Sequence, residues 1–219
     1  MAPDRSQREP LDQASIVAAA IAIADEEGVD ALTMRRLADR LGYKVMALYN
    51  HIANKDELST LMLDTVATEV DEPSHDAAPI DAVRSIAIST RAAFVRHPWA
   101  PGLWQRYFPG PARNDNMECL LGWLAASGLA PELAHHGFHA VNNHVLGYTL
   151  QEQGMNIPDQ ASGGLNAVAE EYLTGLSTDT HPHTIAHVHQ HLDGDSASSF
   201  ELVLDLILDG LVRLDEQAG

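Results

Sequence analysis

Residues 33–58, TMRRLADRLGYKVMALYNHIANKDEL, decide how this chain folds and what its surface is built to meet. Thr33 stands as an N-cap, followed by Leu37, Ala38 and Leu41 at helical spacing, with Arg35, Arg36 and Arg40 turned outward. Gly42, just past the last apolar position, supplies the left-handed residue for a sharp turn into a second helix over about Lys44 to His51. Tyr43, Leu48 and Ile52 anchor that second helix, leaving Lys44, Val45, Met46, Ala47, Tyr49, Asn50 and His51 for another surface. A free-standing surface helix would carry Glu and Lys there instead. Asn54 then caps a third helix with Glu57 as the reciprocal partner of a capping box, and Lys55 takes the first helical position, where a phosphate sits well.

These residue types suit a helix lying in a major groove. Lys44, Asn50 and His51 reach base edges or phosphates, the Tyr49 hydroxyl reaches a phosphate, and Val45, Met46 and Ala47 meet thymine methyl groups. The expected partner is double-stranded DNA. A helix-turn-helix reader works in pairs on a palindromic operator, which predicts a homodimer.

Taken with the helix before it, residues 12–58, DQASIVAAAIAIADEEGVDALTMRRLADRLGYKVMALYNHIANKDEL, resemble the N-terminal domain of the tetracycline-repressor (TetR) family. The likeness is carried by Glu27-Gly28, Leu32-Thr33, Leu37-Ala38, Leu41-Gly42, Leu48-Tyr49-Asn50-His51, Asn54-Lys55 and Leu58. The resemblance implies DNA contacts from Thr33 and Arg35, from Lys44 to Ala47, from Tyr49 and His51, and from Lys55. Where the namesake repressors begin the recognition helix with polar residues and a proline, this chain has Val45, Met46 and Ala47, so its operator should differ.

At 219 residues the chain has room for a small DNA-reading domain and a larger one with its own core. The lone Cys119 excludes an intramolecular disulfide, the first residues lack a signal-peptide pattern, and no apolar run approaches the roughly 18 residues of a membrane helix, so a cytoplasmic protein is expected. The net charge of −18 is unevenly spread. Residues 1–60 hold 7 Lys and Arg against 10 acids, a net of −3, and residues 61–219 hold 6 against 21, a net of −15. Most of the repulsive charge thus lies away from the reading helices, beyond a screening length of about 8 Å. Binding to DNA should be salt-sensitive.

The rest reads as helix after helix, giving an all-α fold. Residues 1–58 form the helix-turn-helix domain, 59–74 a connecting helix and linker, and 75–219 a helical effector-binding and dimerisation domain. The connecting helix is expected to reach about Val70, and the next to run from Pro79 to just before His97-Pro98. Trp99 to Pro111 is expected to be irregular. Helices follow over Asn114–Ala126, Glu132–Gln153 and Leu165–Leu176, then a polar His-rich stretch, then Phe200–Leu214. In the last, Phe200, Val203, Leu204, Ile207, Leu208 and Leu211 form a wide apolar stripe. NNHVLGYTLQEQ and FELVLDLILDGL resemble the C-terminal domain of the same family, which implies a four-helix dimer interface built from the long helix and the last one.

Trp99, Trp104, Tyr107, Phe108, Met117, Leu120 and Trp123 concentrate apolar and aromatic surface in a chain with only 12 aromatic residues, and His139, Asn142 and Asn143 put polar groups on the long helix. A small-molecule pocket is expected among them. Trp104 stands where the namesake repressors hold the magnesium-coordinating His of the drug complex, which points away from metal-tetracycline. His135 with His139, His183 with His187 and His187 with His191 are four apart, a spacing that can chelate a metal, with His181 and His189 close by. No Cys or well-spaced carboxylate completes such a site, so no metal or cofactor is expected. GxSxG, HExxH, CxxC and a Gly-rich phosphate loop are all missing, which argues against an enzyme. A ligand-responsive repressor leads, followed by a metal-responsive repressor and a helical carrier without a DNA function.

Overall fold

The computed structural model describes residues 10–154, 164–193 and 196–218. Regular structure among them is entirely helical. The chain divides into two compact units, Met1–Gly128 and Leu129–Gly219.

The first unit begins with α1 (Gln13–Glu27), whose start is closed by a capping box in which Asp12 accepts from the Ser15 backbone N–H and the Ser15 hydroxyl accepts from that of Asp12. Gly28 ends it at φ 84°, and a 3-10 turn (Val29–Ala31) leads to α2 (Met34–Leu41). Ile16, Ala20 and Ile23 of α1 are fully buried, as are Leu37, Leu48, Leu58 and Leu63, which makes one core beneath the reading helices. The helix α3 (Val45–Leu48) is shorter than the expected span to His51. Its ends tighten into i to i+3 bonds, with Ala47 N–H donating to Lys44 and His51 N–H to Leu48.

The helix α4 (Lys55–Ala67) follows, then α5 (Pro79–Arg96), α6 (Ala100–Trp104) and α7 (Pro111–Ala126). The helix α4 packs against α1 on one side and against α5, α6 and α7 on the other, so the connector belongs to the same compact unit as the reading helices. It stops at Ala67, short of Val70, and Asp71 is held to α5 by its N–H donating to Ser89 Oγ at 2.9 Å. The segment expected to be irregular contains α6, because Pro101 sits in its first turn, where a missing N–H costs nothing. Pro111 likewise opens α7 earlier than expected.

In the second unit, α8 (Pro131–Gly154) packs along α11 (Ser196–Ala218), and α9 (Gly164–Thr174) packs on α10 (Pro182–Asp193). The His-rich stretch, read as polar, forms the helix α10, started by Pro182. Among the described residues, no helix is long and apolar enough to cross a membrane.

Candidate nucleic-acid interface and effector-side helices

Thr33 Oγ1 accepts the Arg36 N–H at 3.1 Å and fixes the start of α2. At the other end Gly42 adopts φ 73°, and the Tyr43 N–H donates back to Ala38 at 3.0 Å, closing the turn into α3. Leu48 and Ile52 are buried beneath that turn. Opposite them, Met46 is 72% exposed and Tyr49 42% exposed, while Lys44, Asn50 and His51 face solvent and Val45 and Ala47 are half-buried. An apolar side chain as open as Met46, between Val45 and Ala47, is surface that a solvated helix has no reason to keep.

The three arginines of α2 differ. Arg36 pairs with Glu27, and Arg40 makes a two-point contact with Glu26 at 2.6 and 2.7 Å. The bond from Arg40 is what holds the Glu26 carboxyl below its usual range. Arg35 is exposed and makes no ion pair among the described residues. Asn54 caps α4 as expected, accepting the Glu57 N–H at 2.9 Å, but the Glu57 carboxylate turns to the Ala53 N–H instead of that of Asn54. The Lys55 ammonium donates to the Leu32 carbonyl at 3.0 Å, so this exposed cation also ties α4 to the entry of α2.

The expected ligand residues scatter. Trp99 is buried, with its indole N–H donating to Asp25 at 2.7 Å, and Leu120 is in the core, so both are taken up by packing. Phe108 is 93% exposed. Trp104 is half-buried, edge-on to Phe94 at 4.8 Å, with the Arg113 guanidinium 4.5 Å from its ring. On α7, Met117 is 41% exposed and Trp123 half-buried. In the second unit, Asn142 donates to the Phe138 carbonyl of its own helix at 3.0 Å, while His139 and Asn143 are exposed. His135 and His139 stack edge-on at 4.6 Å. Among the described residues, no group of three or more His, Cys, Asp or Glu is placed to hold a metal, and the His191 side chain lies outside them.

The stripe on α11 is divided. Phe200, Leu204, Leu208 and Leu211 are buried within the chain, with Phe200 stacked on His144 of α8 at 4.7 Å. Phe200, Leu204 and Leu211, expected to meet a partner subunit, are buried within the chain, on the helix that packs along α8. Ile207 is half-buried, and the open apolar positions are Leu202, Val203, Leu206, Val212 and Leu214. A 23-residue helix with apolar residues on two faces satisfies one face internally and leaves the other.

Sequence reading passed over the residues that lock α4 in place. The Asp64 carboxylate of α4 accepts the N–H groups of Ala112 and Arg113 at 3.1 and 2.9 Å, supplying the N-cap that α7 lacks, and Asn116 donates to Ala67 at 2.8 Å. His97 lies between Asp25, just before the end of α1, and Glu69, just past α4. The signals were an acid on a buried-facing helix turn and a His ending a helix before Pro98, both ambiguous without a fold.

Residues 16–60 match the family model described as bacterial regulatory proteins, tetR family, and residues 73–214 match that of the tetracyclin repressor-like, C-terminal domain. The HTH-type transcriptional repressor DrrR1 of Streptomyces coeruleorubidus is 31% identical over 227 residues, covering 98% of this chain and 82% of DrrR1. Apo ActR from Streptomyces coelicolor is similar with a TM-score of 0.82 at 31% identity, over 96% of this chain and 99% of ActR. ActR in complex with actinorhodin gives 0.80 at 33% identity, over 94% and 98%. With a capped α2, a left-handed Gly turn and an open α3 followed by an all-helical remainder, this chain belongs to the tetracycline-repressor family of bacterial transcriptional regulators.

Proposed function

We propose that the protein is a repressor that binds a palindromic operator as a homodimer in the cytoplasm and is released by a small-molecule effector. The observation that carries the reading is the open face of α3, where Met46 and Tyr49 lie exposed above the buried Leu48 and Ile52. Lys44, Val45, Met46, Ala47 and Asn50 meet base edges, Thr33, Arg35, Tyr49, His51 and Lys55 hold phosphates, and two such helices lie about 34–36 Å apart in successive major grooves. Leu202, Val203 and Leu206 of α11 support the dimer.

The effector is an apolar, ring-bearing molecule held beside α6 and α7, with Trp104, Met117 and Trp123 as contacts. The complex of the related ActR with actinorhodin supports a small-molecule effector. Its binding moves α7, and Asp64 passes that movement to α4 and so to the spacing of the reading helices; a typical coupling is about 1–3 kcal/mol. The test is in vitro selection of genomic DNA fragments with the purified protein. Recovery of a palindrome supports the reading, and no enrichment even at low salt sinks it in favour of a carrier.

A further inference from the structure

His97 is buried, with both of its ring nitrogens against carboxylates. Nδ1 lies 2.9 and 3.1 Å from the two oxygens of Asp25, and Nε2 lies 2.9 Å from Glu69 Oε1. An ionised carboxylate only accepts, so each contact requires an N–H on the ring. Neutral imidazole has one, and the other contact would set a lone pair against an anion. Only imidazolium satisfies both. Asp25 also accepts from Trp99 at 2.7 Å, and Glu69 also pairs with Arg96 at 2.8 Å, so each acid is held from a second side. Burial by itself pulls His97 toward the neutral form, but the hydrogen bonds to Asp25 and Glu69 outweigh it and leave the pKa raised.

The three residues come from different parts of the DNA-reading unit and its support. Asp25 is in the last turn of α1, Glu69 follows α4, and His97 caps the end of α5. The start of α4 is tied to Leu32 by Lys55. With Glu69 fixed, α4 is held near both ends against the helices that carry α3.

We infer that His97, as an imidazolium, is a positioning residue that braces α1 to the end of α4, and that operator binding is thereby linked to one proton. Loss of that proton removes one of the two links and lets α4 swing against α1, so the reading helix must be ordered again on binding. The inference rests on the DNA-binding function proposed above.

The test uses the full-length protein and a duplex recovered by the selection, in a His51→Gln background so that no histidine remains at the DNA face. Nitrogen NMR of the His97 ring should show both nitrogens protonated at neutral pH. Operator affinity should fall about tenfold, within the usual range of coupling, as His97 loses its proton on the alkaline side. Glu69→Gln should lower the His97 titration midpoint and move the affinity curve to lower pH with it; His97→Gln should bind weakly and lose that pH dependence. A singly protonated His97 at neutral pH, or an affinity curve unmoved by Glu69→Gln, overturns the inference. If His97→Gln does not fold, the Glu69→Gln curve decides. Failure to recover any operator sinks the DNA-binding function instead. The brace is then read from amide exchange at residues 25–28, which Glu69→Gln must accelerate.

Discussion

Gly110 makes room for Asp64: a Cβ on Gly110 would stand 2.7 Å from the Asp64 carboxylate carbon and 2.7 and 2.9 Å from its oxygens. The carboxylate enters that gap to accept from Ala112 and Arg113. Gly110→Ala should therefore expel Asp64 and cost about 1–2 kcal/mol, as losing a helix cap does. In an Asp64→Ala background the same substitution should cost almost nothing. Urea unfolding of the four proteins in the cycle measures this, and full additivity would break the assignment.

Arg35 and Arg36 are neighbours with opposite expected roles. Arg36 is engaged with Glu27, whereas Arg35 has no acidic partner among the described residues. Arg35→Ala should weaken operator binding at all sequences and reduce the slope of log affinity against log salt by about one. Arg36→Ala should leave that slope nearly unchanged. Binding titrations at several salt concentrations separate the two.

On α11, Leu206 and Leu204 face opposite ways, the first 63% exposed and the second fully buried. Leu206→Glu should produce folded monomers that no longer bind operator, seen by sedimentation. Leu204→Ala should instead destabilise the fold by about 2–5 kcal/mol through the cavity it leaves. Equal effects of both on assembly would remove α11 from the interface.

The buried His97 also sets a slope of stability with pH. Its native pKa is raised, so above the unfolded value near 6.5 the native state holds more protons than the unfolded one. The stabilisation is complete below that value and is lost as pH climbs through the native pKa. Glu69 acts in the other direction: burial raises its pKa, but the bonds to His97 and Arg96 bring it below 4.5, so its contribution is lost only under acid conditions. Denaturation across pH should show the alkaline decline, and His97→Gln should flatten it.

The reading unit was legible because Thr33, Gly42 and Asn54 each fix a backbone geometry through their own chemistry, whatever surrounds them. The length of α3 was not, since Tyr49 to His51 fit a helix equally well by spacing and only packing turns them into tight bends. Periodicity on α11 found an apolar surface but could not tell its two faces apart; Phe200 and Val203 look alike until α8 takes one of them. Trp99 was read as a ligand contact for its aromatic surface and Asn142 for a polar group on a largely apolar helix; sequence could not show that the Trp99 indole N–H meets Asp25 or that the Asn142 amide bonds back to Phe138.

The pairing of Arg36 and Arg40 with acids of α1 bears on how such a protein finds its site. Two of the three cations on α2 are paired with acids of α1, so under the proposed DNA-binding role this helix offers an arbitrary stretch of duplex one cation without an acidic partner among the described residues. A bacterial chromosome presents about a million or more such stretches, each a competitor for the few specific sites. A regulator that dwells only briefly on each of them keeps more of its copies in transit, and a small number of molecules per cell then suffices to hold one promoter shut.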